Sequence, residues 1–224
     1  MKLLNNKFPG IYYEKRKRMR LYTKNLTPGE KVYGERLKRK KDEEYREWDP
    51  RRSKLAAAIL KRISQVGLNV NDSVLYLGAS TGTTVSHISD IVGDKGFIFA
   101  LDFAPRVMRD LVFLSEKRKN IAPVLADATQ PRKFLHLVSE VDFLYQDVAQ
   151  KNQAEIFIKN ASTFLKPGGF AFLCVKSRSE DVTKSPKKVY SKVRDKLEKE
   201  MIVADFRILD PYEKDHCVFI CKKK

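Results

Sequence analysis

The chain has 224 residues, 42% of them hydrophobic, which is enough for one α/β domain with a small appendage. No apolar run approaches the ~20 residues that span a bilayer, which excludes a helical membrane protein. Its 45 Lys and Arg against 28 Asp and Glu leave a net charge of +17, too unbalanced for the evenly charged surface of a heat-tolerant protein and suited to a polyanionic partner such as nucleic acid.

More than half of the basic excess falls within the first 54 residues. The opening "MKLLNNKFPG" lacks the apolar core and cleavage site of a secretory signal, so the cytoplasm is the expected compartment. Residues 1–50 read as a small antiparallel β domain, with Pro28-Gly29 as a turn and Tyr12, Tyr22, Val32 and Tyr33 as candidates for its apolar face. Such aromatics either fill a small core or stack on RNA bases. "DPRRSKLAAAILKRISQVGL" then changes to helical spacing. Asp49-Pro50 suits its start, Leu55, Ile59, Leu60 and Ile63 form a stripe, and Gly67 suits its end.

From Val74 onward strand and helix signals alternate, which defines a second domain over 51–224. Strands are expected at 74–77, 97–101, 121–125, 142–146 and 170–176. Helices are expected near 82–92, 105–118, 131–138, 152–165 and 185–199. This is an α/β chain with a parallel sheet covered on both faces. "MIVADFRILDP" and "HCVFICKKK" form a closing antiparallel hairpin, the plan of Rossmann-like methyltransferases. The three cysteines, Cys174, Cys217 and Cys221, have no metal-type spacing and read as buried free thiols. His87 and His136 fall on expected helices and are given no chemistry.

In a doubly wound sheet, functional residues follow the strands. The first strand runs into "GASTG", with Gly78, Ala79, Thr83 and Thr84 at the start of a helix. The second ends at Asp102, an acceptor for ribose hydroxyls, followed by Phe103, a surface for an adenine ring. The third leads to Asp127 and Ala128, suited to the adenine edge. The fourth leads to Asp147 and Gln150. The turn lacks the full G-x-G-x-x-G pattern of dinucleotide sites. Acids at three successive strand ends, without a phosphate loop, point to a small adenosine cofactor, S-adenosylmethionine.

The motifs "FPGIYY", "KNLTPGEKVYGE", "EYREWDPRRSKLAAAI", "VLYLGASTGTTVSHISDIV", "DVAQKNQAEI", "LKPGGFAFLCVKSRSEDVT" and "PYEKDHCVFI" together resemble archaeal fibrillarins over nearly the whole chain. The chain lacks the Gly/Arg-rich N-terminal extension of eukaryotic members. The resemblance implies an S-adenosylmethionine-dependent RNA 2′-O-methyltransferase acting within a box C/D ribonucleoprotein. There, guide RNA selects the target in rRNA or tRNA, a Nop-family scaffold holds the enzyme, and a kink-turn-binding ribosomal-type protein seeds the assembly. It implies cofactor contacts at Thr83, Thr84, Asp102, Phe103, Asp127, Ala128, Asp147 and Gln150. It departs at Asp102, where many relatives carry glutamate.

Similarity to lysine–aspartate–lysine ribose methyltransferases implies Lys54, Asp147 and Lys176 as catalytic residues, with His216 in fourth place. Lys176 ends the apolar run "FAFLCV", where desolvation and a second cation, Lys54, would lower its pKa toward base function. Two other readings fit the same fold: a non-catalytic RNA-binding subunit, and a methyltransferase acting on protein or small molecules. The basic N-terminal quarter speaks against the latter, and the intact strand-end acids against the former.

Overall fold

The structure is a computed structural model that describes residues 1–15 and 17–224. A small antiparallel sheet comprises β1 (Lys2–Leu3), β2 (Ile11–Lys15), β3 (Met19–Lys24), β4 (Leu37–Lys40) and β5 (Glu43–Trp48), in the order β1-β2-β3-β5-β4. Val32 and Tyr33 lie outside it, in the segment between β3 and β4, so they are not part of its apolar face as expected. Tyr12 and Tyr22 do pair across β2 and β3. The face that joins the main core is the other one, carrying Ile11, Leu21 and Trp48.

Helix α1 is shorter than its spacing suggested, running from Lys54 to Leu60. Ser53 caps it, accepting weakly from the Ala56 N–H at 3.5 Å. It ends in a Schellman turn: Arg62 takes a positive φ of 61°, its N–H bonds Ile59 O, and Ile63 N–H bonds Ala58 O. Gly67 therefore plays no part in the helix end.

The second sheet contains β6 (Ser73–Leu77), β7 (Phe97–Asp102), β8 (Ile121–Leu125), β9 (Val141–Gln146), β10 (Leu165–Lys176), β11 (Met201–Ile208) and β12 (His216–Lys223). Their order is β11-β12-β10-β9-β6-β7-β8, parallel from β10 to β8, with the closing hairpin antiparallel. The intervening helices are α2 (Thr83–Val92), α3 (Pro105–Lys117), α4 (Gln153–Phe164), the short α5 (Ser177–Glu180) and α6 (Pro186–Glu200). The helix expected near 131–138 is a single 3-10 turn, Pro131–Phe134, and His136 lies beyond it. Phe134 and Val138 are buried with the spacing that suggested a helix, but Leu135 and Leu137 are half exposed, and two anchors suffice for the crossing.

Alternate residues of the parallel strands enter two cores. Val74, Tyr76, Phe143, Tyr145, Phe172 and Cys174 pack under α1, α2, α3 and the small sheet. Leu75, Leu77, Leu144, Leu173 and Val175 pack under α4 and α6. All three cysteines are free and buried, and burial pushes the Cys221 thiol up to about 12, as suits inert core thiols.

The small sheet is fastened to the second sheet by a buried charged cluster. Asp90 on α2 accepts from Arg46 (2.9 Å), Arg118 (2.6 Å), Thr23 (2.7 Å) and the Leu26 N–H (3.1 Å). Glu35 takes the other side of Arg46 at 2.6 Å. His87 stacks on Trp48 with ring centroids 4.8 Å apart. Thr23 spends its only hydroxyl hydrogen on Asp90, so His87 Nδ1 donates to Thr23 Oγ1 (2.8 Å). In the neutral ring Nε2 then accepts the Tyr33 hydroxyl hydrogen at 2.7 Å, in competition with the Glu47 carbonyl at 3.1 Å. Burial and the Arg46 and Arg118 guanidiniums hold this imidazole far below its ordinary range, and it stays neutral.

The unfolded chain binds a proton at this ring below about pH 6.5 while the native chain does not, so stability falls as pH drops through that value. From pH 7 to 5, urea unfolding should show a loss approaching ~1.4 kcal/mol per pH unit from this one group, and His87→Gln should flatten the slope. Equal slopes in the two proteins would refute the assignment.

Candidate active site

The strand order reverses between β6 and β9, the place where an open α/β sheet forms its crevice. Gly78, just beyond β6, has φ +84° and lies so close to the neighbouring chain that an added Cβ would sit 2.3 Å from Asp147 O. The Asp147 N–H bonds Leu77 O at 2.9 Å. Glycine thus lets the two strand ends meet and sets Asp147 at the mouth of the crevice.

Lys54, the first residue of α1, reaches across to Asp147 with Nζ 2.7 Å from Oδ2. Both side chains are largely shielded, at 18% and 27% exposure. Burial penalises the ammonium, but the Asp147 charge and hydrogen bond outweigh that penalty and hold Lys54 above its ordinary pKa. Lys54 is therefore a cation at neutral pH.

Lys176 is the last residue of β10 and pairs across to His216, the first of β12. Strand alternation puts Asp147, Lys176 and His216 on the face that α1 covers, two residues from Tyr145, Cys174 and Val218 respectively. The sequence-derived set is thus brought to one end of one face. The expected desolvation of Lys176 is not found: it is exposed where the strand leaves the sheet, and the ammonium beside Asp147 is that of Lys54. His216 is buried and its Nδ1 donates to Lys214 O at 2.7 Å. Beneath the set, the Tyr76, Tyr145 and Phe172 rings stack at 4.3 and 4.9 Å, and Cys174 Sγ donates to Tyr145 at 3.3 Å.

The other strand-end residues line the adjoining stretch. Asp102 is buried, and its two oxygens accept the Ser80 N–H (2.8 Å) and Ala104 N–H (3.0 Å), one lone pair each. Phe103 beside it is 72% exposed. Asp127 closes its own turn, accepting from the Thr129 N–H and the Gln130 amide, which holds its carboxyl below the usual range. Ala128 is buried, and its carbonyl accepts from Asn160 at 2.8 Å. Ala79 is buried as well. Gln150 is half-buried.

Thr83 begins α2, whose N-cap Gly82 offers no side-chain acceptor to the first turn. Thr84 is buried and donates to Ser53 at 3.1 Å, tying the glycine turn to the cap of the helix that carries Lys54. Sequence reasoning passed over Ser53, although a serine directly before an apolar helical stripe is itself a cap signal. A cavity of about 740 Å³ lies elsewhere, between Leu4–Phe8 and the C-terminal end of α1, and is not part of this crevice.

The fibrillarin family model matches residues 3–224. The chain belongs to the fibrillarin family. It is 49% identical to the fibrillarin-like rRNA/tRNA 2′-O-methyltransferase of Thermococcus onnurineus, over all of both chains. It superposes on Aeropyrum pernix fibrillarin in complex with natively bound S-adenosyl-L-methionine with a TM-score of 0.89 at 46% identity, covering 97% of this chain and 96% of that one. Against a chain of a fibrillarin/Nop5p complex the TM-score is 0.85 at 40% identity, with 96% and 98% covered. With coverage this complete, the small N-terminal sheet belongs to the fibrillarin plan and is not an addition to it.

Proposed function

We infer that this chain is an S-adenosylmethionine-dependent 2′-O-methyltransferase of rRNA and tRNA. The observation that carries the reading is the Lys54–Asp147 pair at the strand-order switch, on the same face as Lys176 and His216 and next to the strand-end acids.

The residues present fit the cofactor. Asp102 keeps spare lone pairs for the two ribose hydroxyls, the exposed Phe103 ring offers a plane for adenine, and Asp127 retains acceptor capacity for its amino group. Gly78, Ala79, Thr83 and Thr84 supply the close backbone at the turn, and Asp147 and Gln150 the methyl-bearing end. When bound, S-adenosylmethionine supplies a methyl group on a sulfonium, which leaves as a neutral thioether.

The protein's part is alignment and proton removal. Lys54, fixed as a cation by Asp147, binds the phosphate beside the target ribose. Lys176, exposed toward incoming RNA, takes the 2′-hydroxyl proton as the oxygen–methyl bond forms. His216 steadies the strand end through its bond to Lys214 O. The basic N-terminal quarter draws in RNA, and the family's guide-directed plan supplies the rest. In that plan box C/D guide RNA chooses the target, a Nop-family scaffold holds the enzyme, and a kink-turn-binding protein organises the guide. The division into a β domain over 1–50 and a methyltransferase domain over 51–224 belongs to the same reading. Among the described residues no helix is long and apolar enough to cross a membrane.

Lys176→Ala should bind S-adenosylmethionine as the native protein does and lose methyl transfer by about 10²-fold or more. Unchanged turnover would remove Lys176 as the base.

A further inference from the structure

β9 ends at Gln146, paired with Leu173, and the chain then turns away into the loop 147–152. Residues 175 and 176 of β10 therefore lose their parallel neighbour just where Lys176 must be placed. The side chain of Gln153 fills that gap. It is the first residue of α4 and fully buried. Its Oε1 accepts the Lys176 N–H at 3.0 Å, and its Nε2 donates to Lys176 O at 3.3 Å and to Gln150 O at 2.9 Å. One amide thus reads both polar groups of the Lys176 peptide, as a neighbouring strand would, and also grips the loop that carries Asp147.

Gln153 is itself held from both sides. Gln146 donates to its carbonyl at 2.7 Å, and Glu180, just past Lys176, accepts its backbone N–H. No hydrophobic packing role requires an amide there; a buried glutamine costs desolvation that these bonds repay.

We propose that Gln153 is a positioning residue that sets the Lys176 strand end against the Asp147–Gln150 loop, so that proton acceptor and methyl-bearing end meet in register. This rests on the reading of Lys176 as the base.

The test compares Gln153→Met, Lys176→Ala and the double variant in the assembled particle, as single-turnover rates at saturating S-adenosylmethionine, with cofactor affinity measured separately. Gln153→Met, matched in length but without the amide, should slow transfer at least tenfold while the cofactor Kd changes less than threefold. In the Lys176→Ala background the same change should cost less than twofold, because the group it positions is gone. A full tenfold cost in that background would show a merely structural role and overturn the proposal, as would a Gln153→Met rate within twofold of native. If Gln153→Met does not fold, Gln153→Glu carries the test. It keeps the acceptor for the Lys176 N–H and should fall between native and Lys176→Ala, and a rate equal to native overturns the proposal. Native turnover by Lys176→Ala alone would instead overturn the base assignment, and this proposal with it.

Discussion

Asp147→Asn is expected to reduce methyl transfer by about 10²- to 10⁴-fold, with a loss of cofactor affinity no greater than about tenfold. Asparagine preserves shape and can still accept from Lys54, so the change removes charge and little else. In the native site the burial penalty on the Lys54 ammonium is outweighed chiefly by Asp147. Without that carboxylate the penalty stands nearly alone and the Lys54 pKa falls. The variant's rate should therefore decline as pH rises through the new Lys54 titration, where the native enzyme keeps its cation. Single-turnover rates from pH 6 to 10, paired with equilibrium binding of S-adenosylmethionine, measure both. A rate within threefold of native across that range would mean that the pair is structural.

The largest stability effect should come from a residue remote from chemistry. Asp90→Asn is expected to cost about 3–5 kcal/mol, because it leaves two buried guanidiniums with one carboxylate between them. For a chain of this length that corresponds to roughly 6–20 °C in Tm. By contrast, breaking an exposed pair such as Lys24–Glu43, screened by solvent, should leave Tm nearly unchanged. Hydrogen exchange should show β5 of the variant opening before the parallel strands, since Arg46 is the small sheet's buried anchor. A Tm shift below 2 °C would mean that apolar packing of Trp48 and Leu21 alone fastens the two sheets.

The two cases explain what could be read beforehand. β6, β9 and the second half of β10 were legible because strands buried on both faces must be apolar throughout, and short turns separate them from amphipathic helices. The strand-end acids followed, since a doubly wound sheet puts its crevice at those ends. Asp90, Arg46 and Arg118 were not legible. In sequence they look like surface charges, and the partners of Asp90 lie 44 and 28 residues away.

The end of α1 was missed because the left-handed residue is Arg62, where the pattern favours glycine. The environment of Lys176 was misjudged because an apolar run says how its strand is buried and nothing about the residue that leaves it. Gln153 gave no signal at all, since a glutamine opening an amphipathic helix reads as solvated until the neighbouring strand is in place.

The central claim is tested most directly by labelled methyl transfer from S-adenosylmethionine to a guide-paired RNA, with scaffold and kink-turn proteins added or omitted. A substrate differing only by a 2′-deoxy target nucleotide serves as control. Transfer that requires the assembly and vanishes with the deoxy target is the predicted result. Transfer that persists on the deoxy target, or none despite cofactor binding in the complete particle, would contradict guided ribose methylation by this chain.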